Sequence, residues 1–244
     1  MLPAEVCVEF RDVCYDIAGK RILSNVNFTV ATGETLVLLG RSGSGKSTAL
    51  KLTNGLLMPT SGDVLVNGRS TRLWDPIQLK RGIGYVIQET GLFPHFNVAD
   101  NIGIVPKLEG WDQAKIAARS DELLATVGMQ PSEFRARYPR QLSGGQRQRV
   151  GVARALAANP TLLLFDEPFG ALDPVTRLDL QKQFLALRDQ HKKTSIFVTH
   201  DVREALRVGD RIALLHEGKI DALTPAAEFT SCATEEARAF LACL

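Results

Sequence analysis

The chain has 244 residues, 45% apolar and 23% charged, and its 29 basic and 27 acidic residues leave a formal charge of +2. This is the make-up of a globular chain long enough to bury its own core, and it excludes a disordered, collagenous or coiled-coil protein. The near balance of charge asks for no basic stripe, so no nucleic-acid partner is expected. Cys7, Cys14, Cys232 and Cys243 form no CxxC pair, which excludes a disulfide framework or a zinc ribbon and fits free thiols in a reducing compartment.

From the N-terminus, Met1 to Phe10 carries Glu5 and Glu9 and lacks the apolar stretch of a signal peptide. No run approaches the roughly 20 apolar residues of a membrane span, so a cytosolic chain is expected. Val6, Val8 and Phe10 alternate with Cys7, Glu9 and Arg11, which predicts a half-buried strand, and Phe28 with Val30 repeats the pattern. Thr35–Leu39 reads as a buried strand running into a Gly-rich turn and then a helix over Lys46–Leu56. A turn at Pro59–Gly62 leads to a strand over Asp63–Val66, closed by Asn67-Gly68. Ile83–Ile87 is a further short strand.

After Gln88 the spacing turns helical from Val98 to Met129, with Ile116, Leu123, Leu124 and Val127 on one face. Pro139 breaks the pattern, and a second helix is predicted from Gly144 to Ala158. Strands return at Leu162–Phe165, Ser195–Val198 and Arg211–Leu215, separated by helices over Val175–Arg188 and Val202–Val208. Buried strands alternating with helices predict an α/β fold with a parallel sheet. The expected division is one domain, 1–244, whose α/β core (1–88 and 160–244) carries a helical insert (89–159).

Gly40, Arg41, Ser42, Gly43, Ser44, Gly45, Lys46, Ser47 and Thr48 satisfy GxxxxGK[ST]. Glycines let backbone N–H groups curl around an anion, and the helix that follows turns its positive end to it. Lys46 supplies a charge to β- and γ-phosphates, and the Ser47 hydroxyl suits Mg²⁺. A chance match in a chain of this length has odds of roughly one in a hundred, and here a strand precedes it and a helix follows. Leu162–Phe165 then delivers Asp166 and Glu167 at a strand end. Asp166 fits a metal-holding carboxylate, and Glu167 fits a general base for an attacking water.

Leu142-Ser143-Gly144-Gly145-Gln146 stands between these two motifs, and with it the sequence resembles the ATP-binding cassette (ABC) family over nearly its whole length. The resemblance implies a P-loop NTPase core with a mainly parallel sheet, an N-terminal antiparallel β portion and an inserted helical subdomain. It implies ATP and Mg²⁺ as cofactors, with Ser143, Gly144, Gly145 and Gln146 facing the γ-phosphate held by a second copy. By the same resemblance, Tyr15 stacks on adenine, the alternative being a strand aromatic facing the core. Gln88 touches Mg²⁺ and the water, Gly170-Ala171-Leu172-Asp173 resembles the D-loop, and His200 matches the switch histidine.

Ile83–Gln88, Gly91–His95, Val105–Leu108 with Gly110-Trp111, Glu167–Pro174 and Phe197–Asp201 resemble bacterial importer ATPases, most of all the group that takes up glycine betaine, carnitine, choline or proline. A polar amino acid or sulfonate/nitrate importer is the alternative cargo class, and a soluble non-transport ABC ATPase is a more distant one. A GTPase is disfavoured because the guanine-reading NKxD pattern is absent. The implied partners are a second copy of the chain, integral membrane permease subunits and, indirectly, an extracytoplasmic solute-binding protein. The implied location is cytoplasmic, held peripherally on the inner face of the membrane by the permease.

Overall fold

The computed structural model describes residues 5–88, 91–170, 172–191 and 193–244. In chain order the elements are β1 (Val6–Ile17), β2 (Lys20–Ala31), β3 (Thr35–Leu39), α1 (Lys46–Thr53), β4 (Ser61–Val66), β5 (Arg69–Ser70), α2 (Pro76–Arg81) and β6 (Ile83–Val86). Then come α3 (Val98–Leu108), α4 (Gln113–Thr126), α5 (Pro131–Phe134), α6 (Gly144–Leu156), β7 (Leu162–Asp166) and α7 (Pro174–His191). The chain continues with β8 (Thr194–Thr199), α8 (Val202–Val208), β9 (Arg211–His216), β10 (Lys219–Pro225) and α9 (Glu235–Leu241). Contacts divide it into two units, Met1–Lys80 with Lys192–Leu244, and Arg81–His191.

The first unit holds an antiparallel sheet in the order β2-β1-β4-β5. It also holds β3 paired in parallel with both β8 and β9, with β10 antiparallel on β9. Three hairpins close on two-residue turns whose residues all have positive φ: Ala18-Gly19 (48°, 75°), Asn67-Gly68 (51°, 73°) and Glu217-Gly218 (45°, 76°). This backbone matches the right-handed twist of the strands it joins. β3 and β8 are buried along their whole length, as continuous apolar runs in parallel strands are. α8 lies against β3 and α1 against β8. α1 is shorter than its apolar pattern suggests, because Asn54 and left-handed Gly55 (φ 66°) end it after Thr53.

Two further sequence expectations need correction. At the start of β1, Val6 is exposed and Cys7 is buried. A register irregularity between Val6 and Val8 resets the alternation there. In the second unit the single helical stretch expected from Val98 to Met129 is two helices. Gly110 takes φ 76°, and the Asp112 side chain accepts the Lys115 N–H at 2.9 Å to start α4. Both helices turn apolar faces inward, so the spacing of apolar residues alone hides the break. Ile116, Leu123, Leu124 and Val127 are buried as expected.

The second unit also pairs β6 with β7 in parallel, Tyr85 opposite Leu164. It thus holds β6, β7 and α7 besides the helical segment. α6 packs so closely on β6 that a Cβ on Gly84 would stand 2.4 Å from the Ala155 carbonyl oxygen. Among the described residues no helix is long and apolar enough to cross a membrane.

Candidate active site

In the first unit, β3 ends at the phosphate-loop motif and α1 begins at Lys46, with Gly45 at its N-cap. The loop is shaped by exclusion of side chains. A Cβ on Gly40 would lie 2.4 Å from the Leu215 carbonyl oxygen, and one on Gly45 2.5 Å from Leu23 Cδ2. Gly45 also has φ 105°, while Gly43 has φ 83° and open space around it. Lys46 is buried, and its Nζ donates to the carbonyl oxygens of Gly40 (2.8 Å) and Arg41 (2.9 Å). A buried ammonium needs such partners. Ser47 and Thr48 are half-buried in the first turn of α1, and Ser42 and Gly43 are exposed. The buried Ser44 hydroxyl has no protein hydrogen-bond partner. Glycines where a Cβ would collide, a lysine and an unspent hydroxyl at a helix start together fit a phosphate chain.

The Arg41 side chain is not directed into this loop. Its guanidinium makes two bonds to Glu236 on α9, 2.7 and 3.1 Å long. Tyr15 is half-buried on β1, opposite the buried Leu23, whose Cδ2 a Cβ on Gly45 would meet. The pairing of Leu39 with Thr199 carries His200, exposed, to the end of β8 beside the loop entry. Its neighbours are fixed. Thr199 Oγ1 donates to Glu204 at 2.6 Å, and Asp201 caps α8 by accepting the Arg203 N–H at 2.8 Å.

In the second unit β7 ends in two carboxylates with different surroundings. Asp166 is buried, and the Tyr85 hydroxyl donates to its Oδ2 at 3.3 Å. Burial, and then the Asp166 charge, push the Tyr85 phenol above its usual range, so it stays a protonated donor. Glu167 is half-buried and takes φ 46°, a left-handed backbone that costs a non-glycine residue about 1–3 kcal/mol. Gln88 is exposed just beyond β6. Asp173 starts α7 by accepting the Val175 and Thr176 N–H groups at 3.2 and 3.0 Å. Its carboxyl sits below the usual range, chiefly through its bond with the Thr176 side chain. Ala171 lies outside the described residues.

The signature residues form a reciprocal cap at the start of α6. Ser143 Oγ accepts the Gln146 N–H at 3.2 Å, and Gln146 Oε1 accepts the Ser143 N–H at 2.9 Å. Ser143 and Gly144 are exposed, and a Cβ on Gly144 would meet nothing. Gly145 is different: a Cβ there would stand 2.5 Å from Thr176 Cγ2, so its glycine serves the packing of α6 on α7.

One unit therefore holds Tyr15, Gly40–Thr48 and His200, and the other holds Gln88, Ser143–Gln146, Asp166, Glu167 and Asp173. Sequence reasoning missed Tyr85 and Glu236. A hydroxyl-bearing aromatic inside an otherwise apolar strand was the signal for Tyr85; for Glu236 the sequence carried none.

The sequence model of the ABC transporter family matches residues 23–170, a span that includes the phosphate loop, the signature and both β7 carboxylates. The chain belongs to the ABC transporter family. The osmoprotectant import ATP-binding protein OsmV of Salmonella typhimurium (strain LT2) is 50% identical over 200 residues, 82% of this chain and 52% of that protein. The glycine betaine uptake system ATP-binding protein YehX of Escherichia coli (strain K12) is 47% identical over 213 residues, 87% of this chain and 69% of that protein. Among solved structures, a dimeric post-hydrolysis state of the ATP-binding cassette MJ0796, bound to ADP and Pi, superimposes with a TM-score of 0.81 at 33% identity. That match covers 90% of this chain and 98% of the cassette, so the α/β ABC fold is shared nearly end to end. The chain spans about half the length of several curated relatives, OsmV among them.

Proposed function

We propose that this chain is the ATP-hydrolysing subunit of an ABC importer, working as a head-to-tail pair of copies. The observation that carries the reading is the end of β7, where one carboxylate is buried against Tyr85 and the next rides on a left-handed backbone. Adjacent carboxylates in different environments take different roles. Lys46 and the loop N–H groups bind the phosphates. Ser47, Gln88 and Asp166 would hold Mg²⁺ through hard oxygen donors, and the ion when bound neutralises charge on the transferred phosphoryl. Glu167 takes the proton of the attacking water, His200 donates to the γ-phosphate, and Tyr15 stacks on the base. Ser143, Gly144, Gly145, Gln146 and Asp173 complete the site of the second copy.

The permease is a separate membrane protein in this reading, which keeps the chain on the cytoplasmic face. An apolar groove of about 400 Å³ within the second unit supports it, lined by Ile83, Ile87, Phe93, Ile104 and Leu108. Phe93 and Leu108 are exposed at its rim, as residues awaiting a partner helix are. The solute is a quaternary-amine osmoprotectant, supported by the names of OsmV and YehX, and an extracytoplasmic binding protein delivers it.

The test is Glu167→Gln. A positioned base contributes about 10²–10⁴-fold in rate, so turnover falls by that factor while ATP binding persists. The variant then accumulates as an ATP-bound pair of doubled mass in light scattering, and not with ADP. Hydrolysis at the parent rate would remove Glu167 from the mechanism, and an inactive variant that never pairs would remove the dimer.

A further inference from the structure

The α9 helix touches the phosphate loop through one carboxylate. Thr234 caps α9 by accepting the Ala237 N–H at 3.2 Å, and Ala237 is fully buried, so Glu236 is presented from an anchored turn. The Glu236 side chain is only 9% exposed. Its Oε1 and Oε2 accept Arg41 Nε at 2.7 Å and Nη2 at 3.1 Å, and His216 Nδ1 stands 3.4 Å from Oε2. The Arg41 bond, ahead of any other cause, holds the Glu236 carboxyl below its ordinary range. A paired fork of this kind fixes direction as well as distance.

The backbone of the same arginine is part of the lysine's support, since the Arg41 carbonyl oxygen accepts Lys46 Nζ. A chain of contacts therefore runs from α9 through the Arg41 side chain and backbone to the Lys46 ammonium. Among the described residues, Glu236 is the group that holds the guanidinium in a two-point geometry. Without it the guanidinium would face Glu217, Asp221 and Glu235, which line the adjoining cavity of about 610 Å³. Those carboxylates offer a diffuse attraction and no fixed register for the loop.

We propose that Glu236 is a positioning residue for nucleotide binding, clamping the Arg41 end of the phosphate loop from α9 and so setting where Lys46 holds its charge. The proposal rests on the reading of Gly40–Thr48 as the phosphate site. Small misplacements of a binding group carry large penalties, and Glu236→Ala is expected to weaken Mg²⁺–ATP binding by roughly three- to tenfold, since a partly exposed pair contributes modestly. Calorimetric affinity and steady-state hydrolysis measure it, with the larger share of the loss in KM rather than kcat. Glu236→Gln, which keeps the shape and one acceptor, recovers part of the affinity. Arg41→Ala combined with Glu236→Ala is no weaker than the weaker single variant, because both cut one chain of contacts.

Lys46→Ala runs alongside. If it loses affinity while folded Glu236→Ala binds ATP at the parent strength or tighter, the positioning role is wrong and the phosphate site stands. If the Arg41 and Glu236 losses simply add, the role is also wrong. If Lys46→Ala binds normally, the phosphate site and this inference fall together. Should Glu236→Ala fail to fold, Arg41→Ala, which cuts the same pair from the loop side, decides by the same criteria.

Discussion

The ends of β3 and β7 place opposite demands on the chain. At the end of β3 the proposed binding surface is backbone, and a Cβ is excluded at two of the loop glycines. Gly40 and Gly45 sit where a Cβ would collide with the Leu215 carbonyl and with Leu23, and the loop's one large buried side chain, Lys46, is tied to its own backbone. At the end of β7 the proposed reagent is a side chain. Glu167 keeps a non-glycine residue at φ 46°, although glycine would fit that backbone without strain. On the proposed reading, sterics fix glycine in one loop, and function forbids it in the other where backbone comfort would favour it.

Replacing the acid by the residue its backbone prefers gives the largest expected effect. Glu167→Gly should lower hydrolysis by at least about a hundredfold, through loss of the base. Stability should be unchanged or up to about 1 kcal/mol higher, because relief of strain is partly offset by the freer unfolded chain. Rate assays and thermal melts on the same sample measure both. A loss of more than about 1 kcal/mol, beyond what the added backbone freedom of glycine explains, would mean that Glu167 holds the loop together rather than straining it.

Gly45→Ala should act in the opposite sense. The added methyl meets Leu23 Cδ2 at 2.5 Å and the Ile22 carbonyl oxygen at 3.2 Å, on a backbone at φ 105°. Overpacking and strain together should cost about 2–4 kcal/mol, and nucleotide binding should fall with them. A variant that melts like the parent would show that β2 gives way easily, and the exclusion argument would fail there.

How much of this was legible in the sequence follows from the range of the interactions. The phosphate loop, the Ser143–Gln146 cap and the buried strands β3, β7 and β8 are local patterns, readable from spacing. The break between α3 and α4 was hidden because one apolar periodicity runs through Gly110. Tyr85 acquires its role only when β6 pairs with β7, which brings its hydroxyl to Asp166, 81 residues away in sequence. The Arg41–Glu236 pair joins residues 195 apart, and no local pattern marks the pairing.

Tyr85→Phe tests the tertiary part of the β7 site. It removes one donor from a buried carboxylate and keeps the ring, so the expected cost is about 1 kcal/mol, in line with one long hydrogen bond. Because Asp166 and not Glu167 loses the bond, the change should appear as a higher Mg²⁺ requirement for hydrolysis rather than as a lost rate at saturating Mg²⁺. An unchanged Mg²⁺ dependence would detach Tyr85 from the metal-holding role of Asp166.

A last pair of variants, read by the small difference between them, separates two reasons for glycine within one loop. Gly43 has φ 83°, but a Cβ there would meet no atom within 4 Å. Gly43→Ala therefore introduces only the left-handed penalty of an L-residue, about 1–2 kcal/mol, without the collision that Gly45→Ala adds. Gly43→Asn should recover part of that cost, since asparagine tolerates left-handed backbone better than alanine. Equal melting temperatures for the two Gly43 variants would place the cost in contacts rather than in φ. A Gly43→Ala loss as large as that of Gly45→Ala would show that the loop's glycines are kept for one shared reason, and the steric argument for Gly45 would lose its contrast.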